Sequence, residues 1–200
     1  MFVGVSGPDG SGKSTFTRAL ADGILANEPD REVVRLWMRW SPRPSRTATP
    51  DGVVSTVDRR HKGNVVKRAV REAGGRRLWA AAAVTQYRQQ LLWQLGAVPE
   101  NTSIVADRFS LDFVADLIAG GILRETEAVS YVRRVPTADV NVVLTVPDDV
   151  LTARADPNED PARLVERARL YLRLAERVGA VVVDGRAPGA VADVLGGVRG

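Results

Sequence analysis

Cysteine is absent from the 200-residue chain, which excludes disulfides, thiolate metal sites and thiol catalysis. Histidine occurs once, as His61, and carries no assigned role. Long apolar runs are missing too: charged residues interrupt every hydrophobic stretch well before membrane-spanning length. The opening MFVGVSG leads straight into a strand-like segment, without the basic n-region and longer apolar run of a signal peptide. A cytoplasmic protein with no membrane partner is the expectation.

The apolar share, 44% of residues, is enough for one sizeable core, so residues 1–200 are expected to form a single domain. Charge is spread unevenly. Between Ser41 and Arg77 there are ten Lys/Arg against three Asp/Glu, a local +7 in a chain whose net charge is only +4. Such a stretch suits a phosphorylated ligand or a nucleic acid, and equally a solvated loop.

Five short β-branched runs read as strands covered on both faces: Phe2–Ser6, Val33–Trp37, Ser103–Ala106, Val140–Val146 and Ala180–Asp184. Helical patterns separate them at Lys13–Asn27, Arg76–Leu95, Ser110–Ile118 with a continuation to Arg134, and Pro161–Val178. A last short helix is expected after Pro188, a residue suited to a first helical position. This alternation predicts an α/β fold with helices on both faces of a parallel sheet. Residues 39–75, rich in Pro, Gly and Arg, read as an irregular basic segment with a brief helical pattern near Val65–Glu72.

Gly7-Pro8-Asp9-Gly10-Ser11-Gly12-Lys13-Ser14 matches G-x-x-x-x-G-K-[ST] in full. A chain of this length would match by accident on the order of once in a hundred, and the context sharpens the signal. The motif follows an apolar strand and opens a helix with Phe16, Leu20 and Ile24 on one side. Gly7, Gly10 and Gly12 let the backbone around Ser11 turn tightly and bring N–H groups close to phosphate oxygens. The helix start adds partial positive charge. Lys13 can reach the β- and γ-phosphates of a nucleotide, Ser14 can ligate Mg²⁺, and Thr15 is placed near the α-phosphate. ATP and Mg²⁺ are the cofactors this implies. An Asn-Lys-x-Asp guanine reader is absent, since the corresponding place reads Val143-Leu144-Thr145-Val146-Pro147-Asp148-Asp149. A Leu-Ser-Gly-Gly transporter signature is absent as well, and the chain is too short for a helicase core. A small-molecule kinase remains.

The sequence resembles the thymidylate kinase-like branch of the nucleoside monophosphate kinases. The resemblance is carried by Gly7-x-Asp9-x-x-Gly12-Lys13-Ser14-Thr15, by Ser103-Ile-Val-Ala-Asp107-Arg108-Phe109, and by a later set. That set runs from Val140–Pro147 through Leu151-x-x-Arg154 and Arg167-x-x-x-Tyr171 to Val181-Val-Val-Asp184-Gly185. It implies a three-layer α/β/α P-loop kinase fold with a five-stranded parallel sheet. It implies transfer of the ATP γ-phosphoryl group to a nucleoside monophosphate or similar small phosphorylated acceptor. Asp107 would lie near Mg²⁺, Arg108 would grip the acceptor phosphate, and Asp9 would bond a sugar hydroxyl. Arg154 would stack on adenine, with Gly185-Arg186-Ala187-Pro188 as the opposite wall. Arg163 and Arg167, on or after a short lid at about 154–163, would fold over the transferring group; solvated helix arginines are the plainer alternative.

Family members carry Thr-Arg-Glu-Pro-Gly-Gly after the second strand and Ala-Tyr-Gln after Asp-Arg-Tyr. This chain reads Leu36-Trp37-Met38-Arg39-Trp40-Ser41-Pro42-Arg43 and Phe113-Val-Ala-Asp116 instead. Trp37 and Arg39 therefore suggest an altered acceptor pocket, with Arg88 a further candidate on the helix expected at Arg76–Leu95. Trp79, Tyr87 and Trp93 fit core packing as well as base stacking. A kinase of a nucleoside or specialised metabolite is one alternative. A nucleotide-binding protein using the basic segment as a nucleic-acid-binding arm is another. The resemblance also implies a homodimer.

Overall fold

The computed structural model describes residues 1–40, 44–48, 54–57, 75–155 and 160–198. The helical pattern near Val65–Glu72, His61, most of the basic segment, and Asp156–Glu159 within the expected lid lie outside the described residues.

Strands β1 (Phe2–Ser6), β2 (Val33–Trp37), β5 (Ser103–Asp107), β6 (Val140–Thr145) and β7 (Val181–Asp184) form a five-stranded parallel sheet in the order β2-β5-β1-β6-β7. Two further strands extend it beyond the expected five. β4 (Val54–Val57) pairs parallel to β2, and β3 (Pro44–Ala48) pairs antiparallel to β4 at the edge. Part of the segment read as irregular is thus ordered pairing. Val54, Thr56 and Val57 supply β-branched side chains, and Pro44 begins an edge strand, where its missing N–H costs least.

Helices cover both faces. α1 (Lys13–Asn27) and α7 (Ala190–Val198) lie on one side. Phe16, Leu20 and Ile24 pack there with Val3, Val5, Val105, Val142, Leu144 and Val194. On the other side lie α2 (Arg76–Leu95), α3 (Ser110–Ala119), α4 (Ala128–Val132) and α6 (Pro161–Val178), around a core that includes Tyr87, Phe109, Phe113, Val143 and Tyr171. Strand alternation sorts the two sets, for Val142 and Leu144 face one layer and Val143 the other. This is the expected three-layer α/β/α fold. A short α5 (Asp148–Ala153) packs on α6 through Val146, Leu151, Leu164 and Ala168.

Two helix expectations need correction. The helix after β5 stops at Ala119, because Gly120 and Gly121 follow and Gly121 takes φ 67°; a 3₁₀ turn (Glu125–Glu127) and α4 come next. The last helix begins at Ala190 rather than at Pro188, since Gly189 between them has φ 92°. Tyr87 is core: it is fully buried and stacks on Phe113 with ring centroids 4.3 Å apart. Trp79 packs edge-on against Trp40 at 5.8 Å, whereas Trp93 is 50% exposed.

β1 needs a glycine at one point. A Cβ on Gly4 would lie 2.5 Å from Cδ1 of Phe109, whose ring is 1% exposed and meets Phe2 edge-on at 5.0 Å. The ring has nowhere to move. Gly4→Ala is expected to lower unfolding free energy by about 1–3 kcal/mol, measured by urea denaturation against the parent chain.

Candidate active site

The carboxyl ends of neighbouring β1 and β5 open on the same edge of the sheet, where ligands of open α/β folds bind. The glycine-rich loop lies between β1 and α1. Gly7 has φ 151°, and a Cβ there would be 2.7 Å from the Leu144 carbonyl oxygen. Gly12, at φ 88°, caps the start of α1 in a left-handed conformation that a side chain would strain. The loop backbone is therefore specified by contacts as well as by conformation.

Lys13 is the first residue of α1 and is only 5% exposed. Its Nζ donates to the Gly7 and Pro8 carbonyl oxygens, each at 2.7 Å, and lies 3.7 Å from Asp9 Oδ1. Burial is the largest influence on this amine and lowers its pKa, against the pull of Asp112 and Asp9. Ser14 Oγ donates to Asp107 Oδ2 at 2.7 Å. That places two oxygen ligands side by side, as a hard divalent cation such as Mg²⁺ takes them together with ligand oxygens and water. Ser11 Oγ is buried without a hydrogen-bond partner, one donor left for a ligand of the loop. Thr15 is exposed one residue beyond Ser14.

Arg108 follows β5 and is the one non-glycine residue with positive φ among the described residues, at 64°. Its backbone N–H still reaches the Val5 carbonyl at 2.9 Å, so the left-handed turn begins after the sheet pairing ends. Its guanidinium is 15% exposed and ion-paired to Asp9. Burial opposes ionisation of Asp9, but Arg108 and then Lys13 outweigh it and hold the carboxyl below its usual value. Burial likewise opposes the charge on Arg108, yet Asp9 and Asp112 raise its pKa overall.

Arg167, on α6, bonds Asp116 on α3. Tyr171, one turn further along, donates its OH to Asp112 at 2.8 Å. Burial opposes the Arg167 charge, while Tyr171 and Asp116 raise its pKa. Lys13, Asp9, Arg108, Asp112, Tyr171, Arg167 and Asp116 thus form one linked set of charged and phenolic groups, with the Ser14–Asp107 pair beside Lys13.

The other sequence candidates divide. Arg154 donates to the Gly10 carbonyl at 3.2 Å. Across the loop, a Cβ on Gly185 would be 2.8 Å from the Ser11 carbonyl oxygen, so Arg154 and the 185–188 turn flank the loop on both sides. In that turn Arg186 folds back onto Asp184 at 3.2 Å, and Ala187 and Pro188 are exposed. Trp37 is in register with Asp107 at the end of β2 and is half-buried. Arg39 is exposed, though its carbonyl accepts from Gln90 at 3.1 Å; Arg88 is exposed on α2. Arg163 is not drawn into the linked set: its side chain is 87% exposed and pairs with Asp160 at 3.5 Å.

Asp112 and Asp116 were not among the expected site residues. The available signal was their spacing, for Arg108, Asp112 and Asp116 are successively four residues apart. The two carboxylates also interrupt the otherwise apolar Leu111, Phe113, Val114, Ala115 and Leu117. Among the described residues no group of three or more His, Cys, Asp or Glu could hold a metal ion unaided.

No protein-family model and no curated protein matches this chain. Its fold is that of a thymidylate kinase-like α/β protein. One solved structure it is similar to is the thymidylate kinase from Ehrlichia chaffeensis, at 14% identity and a TM-score of 0.57, with 99% of this chain and 98% of that chain covered.

Asp112 generates a pH prediction. Burial raises its folded-state pKa above the usual 3.8, against the pull of Lys13 and Arg108. Its contribution is therefore fully present below the usual Asp pKa and is lost as pH rises through the raised one. The Asn variant lacks this titration. Urea denaturation from acid to neutral pH should show wild type losing ground to Asp112→Asn across that window, then a constant difference above it.

Proposed function

We propose that the chain is an ATP- and Mg²⁺-dependent kinase that phosphorylates a nucleoside monophosphate or a similar small phosphorylated acceptor. The observation that carries this reading is a convergence at the carboxyl ends of β1 and β5. Buried Lys13, the Ser14–Asp107 oxygen pair and the left-handed Arg108 meet there around one glycine-rich loop.

In this reading the loop backbone, Ser11 Oγ and Lys13 bind the nucleotide phosphates, with Thr15 at the α-phosphate. Lys13 exchanges its two loop carbonyls for phosphate oxygens and neutralises charge there as the bond to the departing ADP breaks. Ser14 and Asp107 would hold Mg²⁺, which when bound would neutralise charge on the nucleotide phosphates. Arg154 and the Arg186–Pro188 turn bracket the adenine. Arg108 leaves Asp9 for the acceptor phosphate, whose planar bidentate partner is a guanidinium, and Asp9 is freed for a sugar hydroxyl. Trp37, Arg39 and Arg88 shape the acceptor side, and Arg167, with Arg163 on the first turn of α6, covers the phosphoryl group in transit. An acceptor phosphate oxygen is already ionised near neutral pH, so positioning and charge neutralisation suffice without a general base.

The test is ADP release from ATP·Mg²⁺ across nucleoside monophosphates, nucleosides and phosphorylated metabolites, with Lys13→Ala as the blank. One phosphorylated acceptor should stimulate turnover strongly, and Lys13→Ala should lower kcat at least ~100-fold. Arg108→Ala should raise the acceptor KM about tenfold or more, a loss of roughly 1.4 kcal/mol or above. Stimulation by unphosphorylated acceptors alone would overturn the acceptor class.

A further inference from the structure

Arg108 is held from two sides by carboxylates of opposite accessibility. Nη2 meets Asp9, whose side chain is 43% exposed on the loop, and Nη1 faces Asp112 Oδ1 at 4.0 Å, whose side chain is 4% exposed. An incoming anion competes with both for the same guanidinium. Asp9 can give way, because water takes over its carboxylate. Asp112 cannot, since a buried carboxylate stripped of its partners costs several kcal/mol.

Asp112 also governs the backbone on which Arg108 sits. Its Oδ2 accepts the N–H of Phe109 at 3.2 Å, the peptide immediately after the left-handed residue. A non-glycine residue at φ 64° persists only where its surroundings over-determine it, and this bond is one such constraint. The same carboxylate accepts the Tyr171 hydroxyl at 2.8 Å. Tyr171 is fully buried, and Arg167, one turn earlier on the same helix, is coupled electrostatically to its hydroxyl. Arg108 and Arg167 stand on different elements, yet each is referred to one Asp112–Tyr171 contact.

We infer that Asp112 and Tyr171 form a positioning pair that aims Arg108 and fixes the separation between Arg108 and Arg167, so that the two guanidiniums meet one phosphorylated substrate together. The assignment rests on Arg108 gripping the acceptor phosphate. Neither member of the pair reaches substrate itself; both act through the arginines.

The experiment uses the full chain with Asp112→Asn and Tyr171→Phe, each alone and in an Arg108→Ala background. With the acceptor established by the ADP assay, Asp112→Asn should raise acceptor KM about tenfold, a larger factor than any change in ATP KM. It should add nothing in the Arg108→Ala background, a non-additivity that a loss of general stability would not produce. Guanidinium NMR of the free proteins, assigned with Arg108→Lys and Arg167→Lys, supplies a reading that needs no acceptor. The Arg108 signals should move toward those of free arginine in Asp112→Asn, and the Arg167 signals should do so in Tyr171→Phe. Should Asp112→Asn fail to fold, Tyr171→Phe, which deletes a single oxygen, carries the test. Unchanged signals in the folded variants, or additive effects on acceptor KM, would overturn the positioning role. Normal acceptor KM in Arg108→Ala alone would overturn the acceptor assignment and leave the NMR result for the pair standing.

Discussion

Lys13 brings a positive charge into the protein at 5% exposure, and a charge in that position must be matched. Two loop carbonyls take its hydrogens, and Asp112, Asp9 and Asp107 supply the compensating field. Each of those carboxylates then needs partners of its own. Asp107 finds Ser14, Asp9 finds Arg108, and Asp112 finds Tyr171 and the Phe109 amide. The pairing passes from the loop through β5 to α3 and on to α6, so the layout of one face of the sheet follows from one buried ammonium.

That chain of pairs needs a frame that holds its members within hydrogen-bond reach, and close packing supplies it. Gly4 lets Phe109 lie directly on β1, which seats the residue after Arg108 against the strand that leads into the loop. Gly7 and Gly185 do the same for the backbone on either side of Ser11, each excluding a methyl group from a carbonyl contact. Where the packing is tight, the polar geometry is tight as well. Arg163, on the first turn of α6, touches none of this frame and stays in solvent, although it is only four residues from Arg167.

Much of the fold was legible because its signals are local. Apolar runs marked the five parallel strands within a residue or two, and the glycine-rich loop announced itself through residue type and spacing. The β3–β4 hairpin was not legible, since Pro44 and the surrounding Gly, Pro and Arg obscured a short β-branched stretch whose pairing partner, β2, is distant in sequence. At the site, Lys13, Ser14, Asp107 and Arg108 could be named from motifs. Asp112 and Asp116 could not, because their meaning comes from Tyr171 and Arg167, 59 and 51 residues further along respectively. Motifs report what neighbours in sequence do together; the four-residue spacing marked these carboxylates but not their partners across the core.

Charged pairs elsewhere on the molecule show why burial, rather than the presence of a pair, decides what matters. Asp184–Arg186, Asp160–Arg163 and Arg169–Asp148 all lie on the surface, with every side chain at least 41% exposed. Such pairs are screened by salt and contribute little. Asp112 has the same chemistry at 3% exposure, where no water competes for its oxygens. Its two oxygens are both committed, to a backbone N–H and to a phenol, so the direction of the carboxylate is fixed before any ligand arrives. A direction fixed in advance costs nothing further when a ligand binds. The arginine that faces this carboxylate therefore inherits an orientation that the exposed pairs could not impart.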